Sequence, residues 1–246
     1  MRTSLIPGLL SAAVHNINRQ QTRVRLFETG LRFMPGESLA QTPMLGLLLC
    51  GRRMPEGWSS NAAFVDFYDM KGEIEALLQA ADQMLTFRSA VRPGLHDGQT
   101  AEILLGDEVV GVMGRLHPSA AKALNLPEQT LVAELALASV VGRALPDYQE
   151  ISKFPEVRRD IAVIVNRETP SAAVLDTARA SAGAALADAR IFDVYEGDGV
   201  AENAKSLAIG LTFRDQSRTL TDEEINEFLS QIIKSLGEKL GATLRH

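Results

Sequence analysis

Asp193, Tyr195 and Ser206 are the side chains of this chain best suited to chemistry at a surface. They fall on two strand-like segments of the last third of the sequence, where side chains alternate between the two faces of a sheet. Residues 189–195 and 205–213 read as these strands, joined through Glu196-Gly197-Asp198-Gly199. In the first, Phe192 and Val194 are expected to point at a helical layer, which turns Asp193 and Tyr195 away from it. In the second, Leu207, Ile209, Leu211 and Phe213 point at that layer, so Ser206, Ala208, Gly210 and Thr212 point away. An earlier strand, residues 160–165, buries Ile161, Val163 and Val165 and puts Ala162 on the outer side. The outer face is then small and polar around one aromatic ring, which suits stacking and reading of unpaired bases. A solvated face with an exposed tyrosine fits the same pattern.

No other group of residues assembles a reaction centre. The four histidines, His15, His96, His117 and His246, are far apart in sequence and none pairs at i, i+4 as a helical zinc site requires. Phosphate-cradling and nucleophile-elbow glycine motifs do not occur. Glu223 and Glu224 sit in the first turn of a helix, where acidic residues favour the dipole. Asp66 and Asp69 flank Phe67 and Tyr68 near another helix start, and His117 before Pro118 reads as a helix-entry residue. No nucleophile, base and oxyanion donor converge.

Charge limits how nucleic acid is held. The chain of 246 residues carries a net charge of −6, and from Ile151 onward it has 12 Lys/Arg against 15 Asp/Glu. Bulk electrostatic attraction is therefore excluded as the main source of affinity, leaving local stacking and hydrogen bonds or the help of a partner. No apolar run approaches the ~18–20 residues that span a bilayer, and the first residues lack the apolar core of a signal peptide. The single cysteine, Cys50, excludes an internal disulfide framework and fits a reducing cytoplasm. It lies in an apolar run, as a small buried hydrophobe does.

The elements that must position these residues fall into two parts, with a boundary near 145–153 marked by Pro146 and Phe154-Pro155. In the first part, residues 5–18 read as a helix, and 24–33 and 44–50 as strands. The stretch 52–63 reads as a loop. An amphipathic helix follows with Met70, Ile74, Leu77, Leu78 and Ala81 at helical spacing. Strands at 85–90, 101–105 and 109–114 come next, the last two joined by a Gly106-Asp107-Glu108 turn. Residues 131–141 read as a strand running into a short helix. Neighbouring strands with few helices predict an antiparallel α+β layer.

In the second part, the strand at 160–165 precedes a helix with Thr169 as N-cap and Pro170 at its first position, ending at Gly183. After the two strands already described, Thr221-Asp222-Glu223-Glu224 forms a capping box. Its helix carries Ile225, Phe228, Leu229, Ile232, Ile233, Leu236 and Leu240 on one face. Gly241 ends it, and residues 243–245 form a short last strand. The order β-α-β-β-α-β is ferredoxin-like.

Several stretches resemble, in order along the chain, the C-terminal portion of the β subunit of bacterial phenylalanine–tRNA ligase. They include Arg2-Thr3-Ser4-Leu5-Ile6-Pro7-Gly8-Leu9-Leu10, Asn16-Ile17-Asn18-Arg19, Val24-Arg25-Leu26-Phe27-Glu28-Thr29-Gly30 and Asp66-Phe67-Tyr68-Asp69-Met70-Lys71-Gly72. Further on are Gly111-Val112-Met113-Gly114-Arg115-Leu116-His117-Pro118, Ile151-Ser152-Lys153-Phe154-Pro155, Arg158-Arg159-Asp160, Phe192-Asp193-Val194-Tyr195 and Arg218-Thr219-Leu220-Thr221-Asp222-Glu223-Glu224. Each is weak alone; together they are specific.

The resemblance implies a truncated class II synthetase-like sheet domain at 1–146 that has lost its chemistry. Arg25-Leu26-Phe27-Glu28 echoes the class II motif that grips ATP, while the motif carrying the second ATP-binding arginine is missing. It also implies an anticodon-binding domain at 151–246. There Tyr195 would stack on the first anticodon base of tRNA(Phe) beside Ala162, and Asp193 and Ser206 would hydrogen-bond its edge. An ionised Asp193 only accepts, which suits a base offering N–H donors such as guanine. Arg158 and Arg159 would touch phosphate or pair with acidic neighbours. The implied partners are the catalytic α subunit and tRNA(Phe), with self-association through exposed apolar surface. No cofactor is expected in this segment, ATP and Mg2+ serving the complete enzyme. A full β subunit is much longer, so the chain is expected to be a fragment that neither activates phenylalanine nor edits. Two other readings stay open: a free-standing regulatory module using Gly197-Asp198-Gly199 and Ser181-Ala182-Gly183 as ligand loops, and an assembly domain whose open face meets protein.

Overall fold

The structure, a computed structural model, describes residues 1–36, 39–59, 62–79, 85–141 and 152–245. The chain divides into two compact units, Met1–Pro146 and Asp147–His246. Ala81, expected on a helix, and the stretch 142–151 around the expected boundary lie outside the described residues.

The first unit is built on one antiparallel sheet of six strands: β1 (Arg23–Met34), β2 (Ala40–Gly51), β3 (Leu85–Ser89), β4 (Leu95–Leu105), β5 (Glu108–Leu116) and β6 (Thr130–Ala136). Their spatial order is β1-β2-β6-β5-β4-β3. Strand β2 reads as a nearly continuous apolar run because both of its faces are covered. On one face Leu48, Leu116 and Val132 pack against helix α1 (Ile6–Ile17) and against α3 (Pro118–Ala123). On the other, Leu49, Met113 and Leu131 pack against Met70, Ile74 and Leu78 of α2 (Phe67–Gln79). Helix α4 (Ala138–Val141) follows β6 directly. Cys50 is fully buried, and that burial pushes its thiol pKa up. The residues with catalytic appearance in this unit make local contacts. Asp66 accepts hydrogen bonds from the backbone N–H groups of Tyr68 and Asp69, and both aspartates pair with Arg53. His117 is the N-cap of α3, its Nδ1 accepting from the Ser119 N–H.

At the N-terminus of α1 Leu5 stands at the N-cap without a side-chain bond, and the neighbouring Ser4 Oγ accepts the Ile6 N–H at 3.1 Å. Glu134, from the middle of β6 and only 6% exposed, reaches up and accepts the Leu5 N–H at 2.6 Å. A carboxylate here satisfies an orphan helix donor and favours the positive end of the dipole.

The second unit contains β7 (Val157–Asn166), α5 (Ser171–Ala182), β8 (Leu186–Tyr195), β9 (Ala204–Phe213), α6 (Asp222–Leu240) and β10 (Thr243–Leu244). The strands run antiparallel in the order β10-β7-β9-β8. Both helices lie on one face. Val163, Leu207, Ile209 and Phe213 pack there against Val174 and Ala178 of α5 and against Ile225, Ile232 and Leu236 of α6. Phe213 stacks on Phe228 with ring centres 5.9 Å apart. Full burial of each such side chain contributes about 1.5–3 kcal/mol. The expected Thr221 capping box forms, with Glu224 as its return partner, and Gly241 closes α6 in the left-handed conformation at φ 63°. At α5 the cap shifts by one residue: Pro170 occupies the N-cap and Ser171 opens the helix.

Candidate nucleic-acid interface

With both helices on one side, no described element of this unit covers the other side of the β10-β7-β9-β8 sheet, and strand register settles which residues share it. Ala162 faces Ala208 across β7 and β9, and Asp193 faces Ala208 across β8 and β9. In the next rung Ile164 faces Ser206, and Tyr195 faces Ser206 from the other side. Thus Ala162, Asp193, Ser206 and Tyr195 sit together in two adjacent rungs, on a floor of alanine methyl groups shallow enough for a flat ring. Ser206 is 4% exposed, so its hydroxyl lies beneath the surface, while Tyr195 is 37% exposed.

Tyr195 is held at both ends. Its hydroxyl donates to the Asp198 carbonyl at 3.3 Å, which folds the Gly197-Asp198-Gly199 loop back onto the ring. The guanidinium of Arg245 lies over the ring at 4.6 Å from its centre. The Arg245 backbone N–H donates to the Ala162 carbonyl, so β10 delivers this arginine to the open face. Among the described residues no carboxylate pairs with it.

The two arginines of the Arg158-Arg159 pair separate. Arg158 is registered with Thr212 on the open face, and its Nε donates to Asp160 at 2.8 Å. Arg159 is registered with Leu211, on the helix side, and bonds Asp222 at the start of α6 at 2.7 Å. The structure therefore leaves Arg159 away from the other candidate residues.

One orientation expected from alternation is corrected. Phe192 does not point at the helices. The β8–β9 register shifts between Ile191 and Asp193, and the bulge gives β8 an extra residue there. Ile191 takes the helix-side position and Phe192 moves to the open face, 53% exposed, with the Arg158 guanidinium 5.5 Å from its ring centre. Strict alternation cannot reveal a bulge, and the register of a two-residue terminal strand is equally silent in sequence. Phe192 and Arg245 were missed for these reasons.

Two descriptions of known families match this chain. "Phenylalanyl tRNA synthetase beta chain CLM domain" matches residues 1–137. "Ferredoxin-fold anticodon binding domain" matches residues 152–245. The chain belongs to the phenylalanyl-tRNA synthetase β-chain family. The phenylalanine–tRNA ligase β subunit of Pseudomonas syringae pv. tomato is 49% identical over the whole chain, which covers 31% of that protein. Those of Hahella chejuensis and Pasteurella multocida are 48% and 42% identical over the whole chain, which covers 31% and 32% of them. The chain thus spans about a third of the length of these curated relatives. A pyrrolysyl-tRNA synthetase of Desulfitobacterium hafniense aligns with a TM-score of 0.42 and 17% identity, over 57% of this chain and 49% of the other, a likeness too slight to specify a fold.

Membership in the phenylalanyl-tRNA synthetase β-chain family supports the anticodon-domain reading of the second unit over a free-standing ligand-binding module. The loops offered for the latter are committed elsewhere: Ser181 bonds the Thr177 carbonyl within α5, and Gly197 packs beside the Tyr195 hydroxyl. In the first unit of this synthetase segment, Arg25 and Glu28 lie on opposite faces of β1. Arg25 is registered with Leu49 and pairs with Glu73 of α2. Glu28 is registered with Gly46, on the α1 side, and pairs with Arg2 at 2.6 Å.

Proposed function

We propose that this chain is a non-catalytic segment of phenylalanine–tRNA ligase that reads the anticodon of tRNA(Phe) and supports the catalytic α subunit during ATP-dependent charging. One observation carries the reading: Ala162, Asp193, Ser206 and Tyr195 converge on the uncovered face of an anticodon-binding fold. The first anticodon base stacks on Tyr195 above the two alanine methyls, and the acceptor-only Asp193 takes N–H donors from its edge. Ser206 contributes a hydroxyl once a neighbouring side chain shifts, and Arg245 supplies positive charge near the backbone.

The absence of catalysis in this segment is inferred from β1. A residue gripping a triphosphate and one holding the adenine must face the same pocket, but Arg25 and Glu28 diverge and each is neutralised by a partner of its own. The residues present therefore do not fit ATP, and ATP with its magnesium ions belongs to the complete enzyme. The first unit instead offers apolar surface: Phe27 on β1 is 76% exposed, and Trp58 is fully exposed. In the cytoplasmic heterotetramer that surface packs against the α subunit; alone, it promotes self-association.

The test is binding of the chain to tRNA(Phe) across a salt series, wild type beside Tyr195→Ala. Loss of about 1–3 kcal/mol in the variant is expected. Equal binding by the two proteins would remove Tyr195 from the site.

A further inference from the structure

We propose that Phe192 and Arg158 form a second nucleobase platform on the open face, taking a nucleotide adjacent to the one stacked on Tyr195. The inference rests on the anticodon reading and extends it to a residue and a subsite.

Three independent features build the platform. First, the bulge in β8 rotates Phe192 out of the core side and onto the face that already carries Asp193 and Tyr195. Phe192 is left 53% exposed to water, and bulges are over-represented next to sites, where they re-aim a side chain. Second, Gly210 on β9 gives the Arg158 side chain room to lie flat across the sheet. A Cβ at Gly210 would come within 2.8 Å of the Arg158 Nη2 and 3.1 Å of its Cζ. Third, Asp160 fixes the Arg158 Nε at 2.8 Å, and the guanidinium then supports one side of the Phe192 ring. The result is a ring supported by the Arg158 guanidinium and half-exposed to solvent.

The chemistry selects a nucleobase. Sheet domains that read single strands use two or more outer-face aromatics to stack successive bases, with arginine planes as further stacking surfaces. Here the two rings lie three residues apart on one strand with Asp193 between them, and each is backed by an arginine: Arg245 for Tyr195, Arg158 for Phe192. A stacking contact is tolerant of base identity, so this subsite adds affinity and orients the strand while Asp193 discriminates at the neighbouring position.

A double-mutant cycle between protein and RNA tests it. The probe is a seven-nucleotide RNA carrying the phenylalanine anticodon, with a single abasic residue at the first anticodon position or at either position flanking it. Binding to the wild-type chain, Tyr195→Ala, Phe192→Ala and Phe192→Leu is measured at low salt, with thermal unfolding of each variant as a check on folding. Phe192→Ala is expected to weaken the intact RNA by about 5- to 150-fold. One flanking abasic residue should cost the wild type a similar factor and cost Phe192→Ala nothing further. Phe192→Leu, which keeps apolar bulk without a ring, should behave like the alanine variant. If Phe192 variants bind as wild type while Tyr195→Ala and the abasic first position lose binding, the second platform is wrong and the anticodon face stands. If Phe192 matters and Tyr195 does not, the assignment of the first base fails. Absence of binding by the wild-type chain overturns both.

Discussion

The guanidinium carbon of Arg245 sits 4.6 Å from the centre of the Tyr195 ring, so one side of the tyrosine is already stacked before any base arrives. On the proposed reading, a base takes the remaining side or displaces the arginine. Because the Tyr195 hydroxyl is engaged with the Asp198 carbonyl and the ring supplies the stacking surface, Tyr195→Phe should retain most of the affinity for tRNA(Phe), while Tyr195→Ala loses about 1–3 kcal/mol. Fluorescence titration of the two variants side by side checks this. A large loss in Tyr195→Phe would shift the role from ring to hydroxyl.

Arg245 has no acidic partner among the described residues, unlike Arg158 and Arg159, which pair with Asp160 and Asp222. Its charge is therefore available to phosphate. Arg245→Ala should reduce the slope of log affinity against log salt by about one, with a roughly uniform loss across RNA sequences. Arg159→Ala should leave that slope unchanged, because Arg159 faces the helix side.

Much of this site was legible from alternation. Leu207, Ile209, Leu211 and Phe213 must be buried together, which forces Ser206, Ala208 and Gly210 to the outside, and the β-α-β-β-α-β order leaves that outside uncovered. What stayed hidden depends on non-local geometry. Phe192 changed faces because of a one-residue bulge, which leaves no mark in a period-two pattern. Arg245 reached Tyr195 through a strand pairing between distant segments. Glu134 interrupts the otherwise apolar β6, and the placement of α1 over that strand explains it.

The buried Glu134 carboxylate accepts the Leu5 N–H at the start of α1, beside the Ile6 N–H held by Ser4. Glu134→Leu should destabilise the first unit by about 1.5–3 kcal/mol, the range for a hydrogen bond to a charged group. Glu134→Gln, which keeps an acceptor, should cost less. Urea unfolding followed by circular dichroism separates the two; equal losses would mean that the negative charge, not the acceptor, is what the helix terminus requires.

Acid should weaken the second unit through its capping box. Arg218 bonds both oxygens of Glu224, and the Thr221 backbone N–H adds a further bond, holding this carboxyl down to about 2 from an ordinary value of 4.5. A folded value below the unfolded one means that the unfolded chain binds more protons in between, so stability rises with pH across that window. The contribution is complete above about pH 4.5 and disappears as pH falls through about 2. Glu224→Gln should therefore flatten the decline of melting temperature between pH 4.5 and 2.5 relative to wild type. Thr221→Ala, which removes the other half of the box, should cost about 1 kcal/mol at neutral pH. If wild type and Glu224→Gln lose stability in parallel over the acid range, other carboxylates govern the acid transition and the Arg218 pair is too solvated to contribute.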